Sequence, residues 1–253
     1  MLEDYLREQR KKKDILLMTH IVIGYPSIEA SLDIVEAMVE AGVDLMELQI
    51  PFSEPIADGP VILKANQESL ARGARVDGCF DFAERVTARF DIPFLFMTYY
   101  NVMFKYGLAE FASRMARIDM AGAIVPDLPP EEGQVYLAAM AEHRLSPIFI
   151  YAPTTGEERM RMLASHGRGF VYCVARKGVT GQDTDFSGEL EGYLSRCRLA
   201  THLPLALGFG VKDRADIDFL RGKVDIAVIG TETIRIVDQH GVAAVGPFIS
   251  GLR

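Results

Sequence analysis

Short apolar runs alternate along the chain with longer stretches in which apolar positions recur every three to four residues, the alternation of buried strand and amphipathic helix. The first run covers 14–23, between a polar helix over 1–13 and the stop Gly24-Tyr25-Pro26. Ser27 is placed to cap the next helix, whose Ile28, Leu32, Val35, Met38 and Val39 fall at helical spacing. A second run over 43–48 follows Ala41-Gly42, and three prolines and a glycine then hold 51–60 as a loop. The pattern predicts helices over 61–72 and 77–90 and a third strand over 92–98, with Tyr99-Tyr100-Asn101 at its mouth. A helix over 108–117, a fourth strand over 121–125, its exit loop 126–130 and a helix over 131–143 follow. The fifth strand is 146–151, Thr155 caps a helix through 164, and the sixth strand is 169–174. A polar loop over 176–188 leads to a helix ending at 200, a seventh strand over 203–207 and a helix over 213–220. The eighth strand is 224–229, and Gly230-Thr231 opens the last helices.

Eight strand–helix units with short connections argue for a parallel sheet. Eight units in 253 residues is the size of a closed (β/α)8 TIM barrel, here with a short extra helix at the start and a single domain over 1–253. An open doubly wound sheet needs fewer units and a first-turn glycine fingerprint that is missing here. Barrels of this kind carry their chemistry at the carboxyl ends of the strands. Glu47 stands at such an end, and Glu54 and Asp58 lie in the loop that follows. A charge buried unpaired in a barrel is costly, so Glu47 is either paired with a cation or functional. Asp58-Gly59-Pro60 also reads as an ordinary turn.

Composition narrows the classes. The chain is 49% hydrophobic and 25% charged, enough apolar residues for a sizeable core. Its net charge of -8, with one short basic run over 10–13, speaks against nucleic-acid binding. The three cysteines Cys79, Cys173 and Cys197 are far apart, with neither metal spacing nor a disulfide pattern. The five histidines have no ligand spacing, so no metal site is expected. The polar start and the lack of a long apolar run predict a cytoplasmic protein without a membrane span.

Glycines mark a second kind of candidate. Gly208-Phe209-Gly210 and Gly230-Thr231 follow the seventh and eighth strands, and Gly178-Val179-Thr180-Gly181 follows the sixth. Tight turns alone would account for each. Exposed backbone N–H groups leading into helices also make anion sites, and barrels place phosphates after strands seven and eight. With a net negative chain, a phosphate there must be held by local dipoles.

The stretch 47–60 reads Glu-Leu-Gln-Ile-Pro-Phe-Ser-Glu-Pro-Ile-Ala-Asp-Gly-Pro, and it resembles the signature of the tryptophan synthase α subunit family. Arg176-Lys177-Gly178-Val179-Thr180-Gly181, Gly208-Phe209-Gly210, Gly230-Thr231, Tyr172, Tyr99-x-Asn101, Asp127-x-Pro129 and 147–150 also look like that family's pattern, so the resemblance spans nearly the whole chain. It implies retro-aldol cleavage of indole-3-glycerol phosphate to indole and glyceraldehyde 3-phosphate. Glu47 would protonate C3 of the indole and take the proton of the glyceryl hydroxyl, Asp58 would accept the indole N–H, and Tyr172 would orient Glu47. Gly181, Phe209, Gly210, Gly230 and Thr231 would hold the phosphate. His20, Gln49, Tyr99, Ile124, Asp127 and Ile150 would line the indole pocket. No cofactor motif is present, so none is expected in this chain. The resemblance further implies a β subunit partner that carries pyridoxal phosphate, in an α2β2 complex.

The pattern is not followed everywhere. Gln49 stands where the family has glycine and, by alternation, faces the same side as Glu47, where it would crowd the indole or bond Glu47. His20 replaces an apolar residue, Val22 a threonine and Val102 a frequent proline. A free-standing indole-releasing lyase and a regulatory phosphate-binding subunit therefore remain as alternatives. A Schiff-base aldolase using Lys177 is more distant, because that lysine lies in a polar loop beyond the strand.

Overall fold

The computed structural model describes residues 1–175, 188–208 and 210–253. Eight parallel strands pair each with the next, and the eighth returns to the first to close the ring. They are β1 (Leu16–Val22), β2 (Leu45–Gln49), β3 (Phe94–Met97), β4 (Gly122–Ile124), β5 (Ser146–Tyr151), β6 (Val171–Val174), β7 (Leu205–Gly208) and β8 (Ile226–Ile229). Around them run α1 (Leu2–Arg10), α2 (Ile28–Glu40), α3 (Pro60–Ala71), α4 (Val76–Thr87), α5 (Tyr100–Tyr106) and α6 (Leu108–Arg117). The second half adds α7 (Gln134–Glu142), α8 (Glu157–His166), α9 (Gly188–Ala200), α10 (Arg214–Leu220), α11 (Thr231–His240) and α12 (Val245–Gly251). The TIM barrel expected from the eight alternations is the architecture observed.

Strand alternation sorts the apolar residues into two layers. Leu16, Met18, Leu45, Leu95, Met97, Tyr172, Ala206, Ile226 and Val228 pack together inside the barrel. Their chain neighbours Leu17, Met46, Leu48, Phe94, Phe96, Val171, Leu205, Leu207 and Ala227 join the layer between barrel and helices. Leu2 and Leu6 of α1 belong to the inner cluster, so the extra N-terminal helix plugs the end of the barrel remote from the strand exits. Asp44, just before β2, ties the chain's two ends to that floor. It accepts from the Leu17 amide at 2.8 Å and from Arg253 at 2.7 Å, and it pairs with Lys13.

Several boundaries differ from the pattern-based expectation, each for a local reason. Residues 100–106, expected as part of a loop, form α5. The Asp127 carboxylate accepts from the Tyr100 amide at 2.8 Å and anchors the start of this helix. Gly107, at φ 99°, then breaks the helix before α6, a conformation that suits glycine. Thr155 does not cap α8: its hydroxyl accepts from the Ala152 amide, Gly156 is the capping residue, and the helix runs on to His166. Residues 131–133 form turns rather than the first turn of α7, with the amides of Glu132 and Gly133 bonded to the carbonyls of Pro129 and Pro130. Ser27 caps α2 as expected, accepting from the Ala30 amide.

Candidate active site

A cavity opens at the carboxyl ends of the strands. Its walls include His20, Glu47, Asp58, Ile124, Ile150 and Tyr172 on one part and Gly210, Lys212, Gly230, Thr231, Glu232 and Arg235 on another. A concave site that is mainly apolar with a few convergent polar groups suits a small-molecule ligand.

Glu47 is buried at 3% exposure on the inward face of β2. Register places it level with His20 on β1, and His20 Nδ1 lies 3.1 Å from Glu47 Oε2. The other oxygen, Oε1, is buried without a partner in the protein, as is His20 Nε2. Burial pulls the His20 imidazole down, but the hydrogen bond and charge of Glu47, with the charge of Asp58 and a contribution from Gln49, hold it above the ordinary histidine range. The partner left open by the sequence is thus seen: the side chain beside Glu47 is the imidazole of His20.

Asp58 reaches the same cavity from the proline-rich loop. Gln49 Nε2 donates to Asp58 Oδ2 at 2.7 Å, and the Tyr99 hydroxyl donates to the same oxygen at 3.1 Å. Tyr99 in turn accepts from the Ala57 amide, and Phe52 stacks on its ring at 5.3 Å. Asn66 on α3 accepts from the Phe52 amide at 2.9 Å, a second anchor for the loop. Burial raises the Asp58 carboxyl above its usual range, against the opposing effects of His20, Gln49 and Tyr99. The Gln49 side chain therefore bonds Asp58, not Glu47.

Tyr172 on β6 lies against Gly208 of β7, so close that a methyl group at Gly208 would sit 2.4 Å from the phenol oxygen. Glycine is needed there for the ring to cross. Burial, then the charges of Glu47 and Asp58, push this phenol well above the ordinary tyrosine range, so it stays a hydrogen-bond donor.

Of the residues expected to form the indole pocket, His20, Ile124 and Ile150 line the cavity. Gln49 and Tyr99 lie outside that lining and hold Asp58 in place. Asp127 also lies outside it and anchors α5 instead, because its carboxylate takes the Tyr100 amide. Gly210, Gly230 and Thr231 line the cavity where α11 begins, whereas Gly181 and Phe209 lie outside the described residues, as does Lys177. Glu54 is exposed. The sequence reading missed Lys212 and Arg235, which add cationic side chains to this wall, Arg235 also pairing with Glu232 at 3.2 Å. Arg235 sits one helical turn beyond Thr231, a spacing that could have revealed it. Among the described residues no group of His, Cys, Asp or Glu side chains could hold a metal ion.

Comparison with known proteins points to one family. A family model described as "Tryptophan synthase alpha chain" matches residues 6–245. A tryptophan synthase alpha chain of Syntrophotalea carbinolica is 66% identical over 253 residues, with both chains covered completely. One from Desulforapulum autotrophicum is 68% identical over 252 residues, again with 100% of each chain covered. A solved structure of Mycobacterium tuberculosis tryptophan synthase contains a chain that superposes with a TM-score of 0.93 at 31% identity, covering 99% of this chain and 96% of that one.

Proposed function

The chain belongs to the tryptophan synthase alpha chain family, lyases that cleave indole-3-glycerol phosphate to indole and glyceraldehyde 3-phosphate, and from that premise we propose how its residues divide the work. Glu47 is the acid–base residue. As an acid it protonates C3 of the indole, which makes the ring an indolenine able to receive the electron pair of the breaking carbon–carbon bond. As a carboxylate it then takes the proton of the glyceryl hydroxyl while that carbon becomes an aldehyde, and the acid is regenerated. Asp58 accepts the indole N–H and balances positive charge as it develops on the ring. Tyr172 stays protonated and orients Glu47.

The phosphate is held by backbone N–H groups of Gly210, Gly230 and Thr231 and by the amino end of α11, with Lys212 and Arg235 adding charge. Gly181 and Phe209 keep the parts in this clamp that their motif implies. The observation that carries the reading is the meeting of Glu47 and Asp58 in one cavity that is also lined by the start of α11.

The alpha-chain family needs no cofactor of its own for this step. We assign the chain a β subunit that carries pyridoxal phosphate, in an α2β2 complex, and a place in the cytoplasm. No helix among the described residues is long and apolar enough to cross a membrane. Ile56, Phe104 and Val135 support the partner: they are large, exposed apolar side chains, and they follow β2, β3 and β4 on the face where the cavity opens. One observation favours appreciable turnover without that partner, because Asp58 is already tied to Gln49 and Tyr99.

The test is indole release from indole-3-glycerol phosphate by the chain alone and with a β subunit, beside Glu47→Gln. Release that rises with the partner and disappears in the variant is expected. Fast release alone would point to the free-standing lyase, and release that survives in Glu47→Gln would overturn the assignment of Glu47.

A further inference from the structure

We infer that His20 and Gln49 are a positioning pair for the two carboxylates, His20 fixing Glu47 and Gln49 fixing Asp58, so that both acids stand oriented before substrate arrives. The inference rests on the roles given above to Glu47 and Asp58 and goes beyond them to residues that touch the reaction only through those acids.

The strand register makes the pair possible. His20 is aligned with Glu47 and Val22 with Gln49, so all three polar side chains rise from two adjacent strands within two residues of one another. His20 is 4% exposed and Gln49 is fully buried. Polar groups at such depth cost stability unless they are bonded, and an apolar side chain at either place would avoid that cost. Each instead spends its reach on a carboxylate oxygen. His20 meets Oε2 of Glu47 at 3.1 Å and leaves Oε1 buried and unpaired, as an atom that must face the reacting centre has to be. The Gln49 amide meets Oδ2 of Asp58 at 2.7 Å, and Tyr99 donates to the same oxygen. Because Asp58 comes from a loop with three prolines and no regular structure, this grip replaces the rigidity that a strand gives Glu47.

Charge supports the arrangement. The groups that face His20 are Glu47 from β2 and Asp58 from the loop, with Tyr172 from β6 and with Lys212, Glu232 and Arg235 farther along the cavity wall. Across the barrel seam its side chain lies beside Gly230. Burial opposes a proton on His20, while the hydrogen bond and charge of Glu47 and the charge of Asp58 favour it.

The experiment has a kinetic and a spectroscopic arm. His20→Leu and Gln49→Leu are measured for kcat and KM on indole-3-glycerol phosphate, with His20→Gln as the conservative variant that keeps an N–H donor. A fall in kcat of about 10- to 100-fold with KM changed little is expected for both leucine variants, with part of the loss restored in His20→Gln. Turnover within about threefold of the parent, or a loss confined to KM, overturns the inference. The second arm follows the His20 imidazole by 15N NMR titration in the parent and in Glu47→Gln, the signal being identified by its loss in His20→Gln. A downward move of the titration midpoint in Glu47→Gln is expected. An unchanged midpoint overturns the His20 half even if His20→Leu fails to fold. Full turnover in His20→Leu beside an inactive Glu47→Gln would sink the positioning role alone, whereas an active Glu47→Gln would sink the catalytic assignment beneath it.

Discussion

Replacing Gly208 by alanine perturbs the site at one defined point. The new Cβ would stand 2.4 Å from Oη, 2.5 Å from Cε1 and 2.6 Å from Cζ of Tyr172. Carbon contacts are comfortable from about 3.5 Å, so the ring must retreat by about 1 Å. Three atoms of one rigid ring are met at once, which rules out relief by turning a flexible tip. Tyr172 is buried between Ile150 on β5 and Ala206 on β7, its register neighbours, so the ring has little room on either side. Overpacking of this kind costs about 1–3 kcal/mol. For a chain of this size that lowers the melting temperature by roughly 2–12 °C. The displaced ring also lines the cavity, and a shift of about 1 Å in such a position lowers turnover by about 100-fold. Thermal unfolding followed by circular dichroism and indole release measure the two effects. Tyr172→Leu supplies the control: in that background the added methyl should cost little stability, leaving a coupling between the two sites of at least about 1 kcal/mol. A Gly208→Ala protein that melts within about 1 °C of the parent and turns over within about twofold would refute the reasoning, because it would mean that the ring does not lie against β7 in solution.

Asp44→Ala should destabilise the chain by about 3 kcal/mol, because it strands the Leu17 amide and removes the anion shared by Lys13 and Arg253. Urea unfolding should show a lower midpoint with an unchanged slope, and a midpoint equal to the parent's would refute this. Asp58→Asn should raise the melting temperature at pH 7 while abolishing indole release. Burial raises the folded-state pKa of this carboxyl, so its ionisation opposes folding as pH rises above the unfolded value of about 3.9. The gain should therefore vanish at pH values below the unfolded pKa, and a variant less stable than the parent at pH 7 contradicts the sign. Phe104→Asp should leave indole release by the chain alone within about twofold and weaken its stimulation by a β subunit, since Phe104 is 63% exposed on α5, remote from the carboxylates in the cavity. Full stimulation of that variant would remove this face as the docking surface.

Much of the architecture follows from local chemistry. Each strand is an apolar run, most of them ended by glycine or proline, and each long helix is a periodic stripe, so eight alternating units were visible in the residues themselves. The closed parallel barrel was the one economical way to bury those units. The long motif around Glu47 and Asp58 also marked where the acids lie, because a carboxylate at a strand exit and a proline-held loop are properties of the chain order. Short elements were harder to read. The seven-residue α5 depends on Asp127, 27 positions away from the amide it anchors, and no window around residue 100 contains that contact. Thr155 looked like a cap and is not one, because the path of the loop brings its hydroxyl to the preceding Ala152 amide and not to an amide of the helix.

The residues alone determined that Glu47 and Gln49 face the barrel, since a strand's side chains alternate with period two. They could not determine which partner each polar group would take. Gln49 was within conceivable reach of Glu47 and of any ligand, yet it bonds Asp58, because the loop folds back over β2 and brings that oxygen to 2.7 Å. His20 gains its role only through the alignment of β1 with β2, and Arg235 reaches the cavity only because β8 closes on β1 and brings the start of α11 to its rim. Periodicity is a property of neighbours in the chain and can be read there. Pairing across strands is a property of register and closure, which exist only once the barrel has formed.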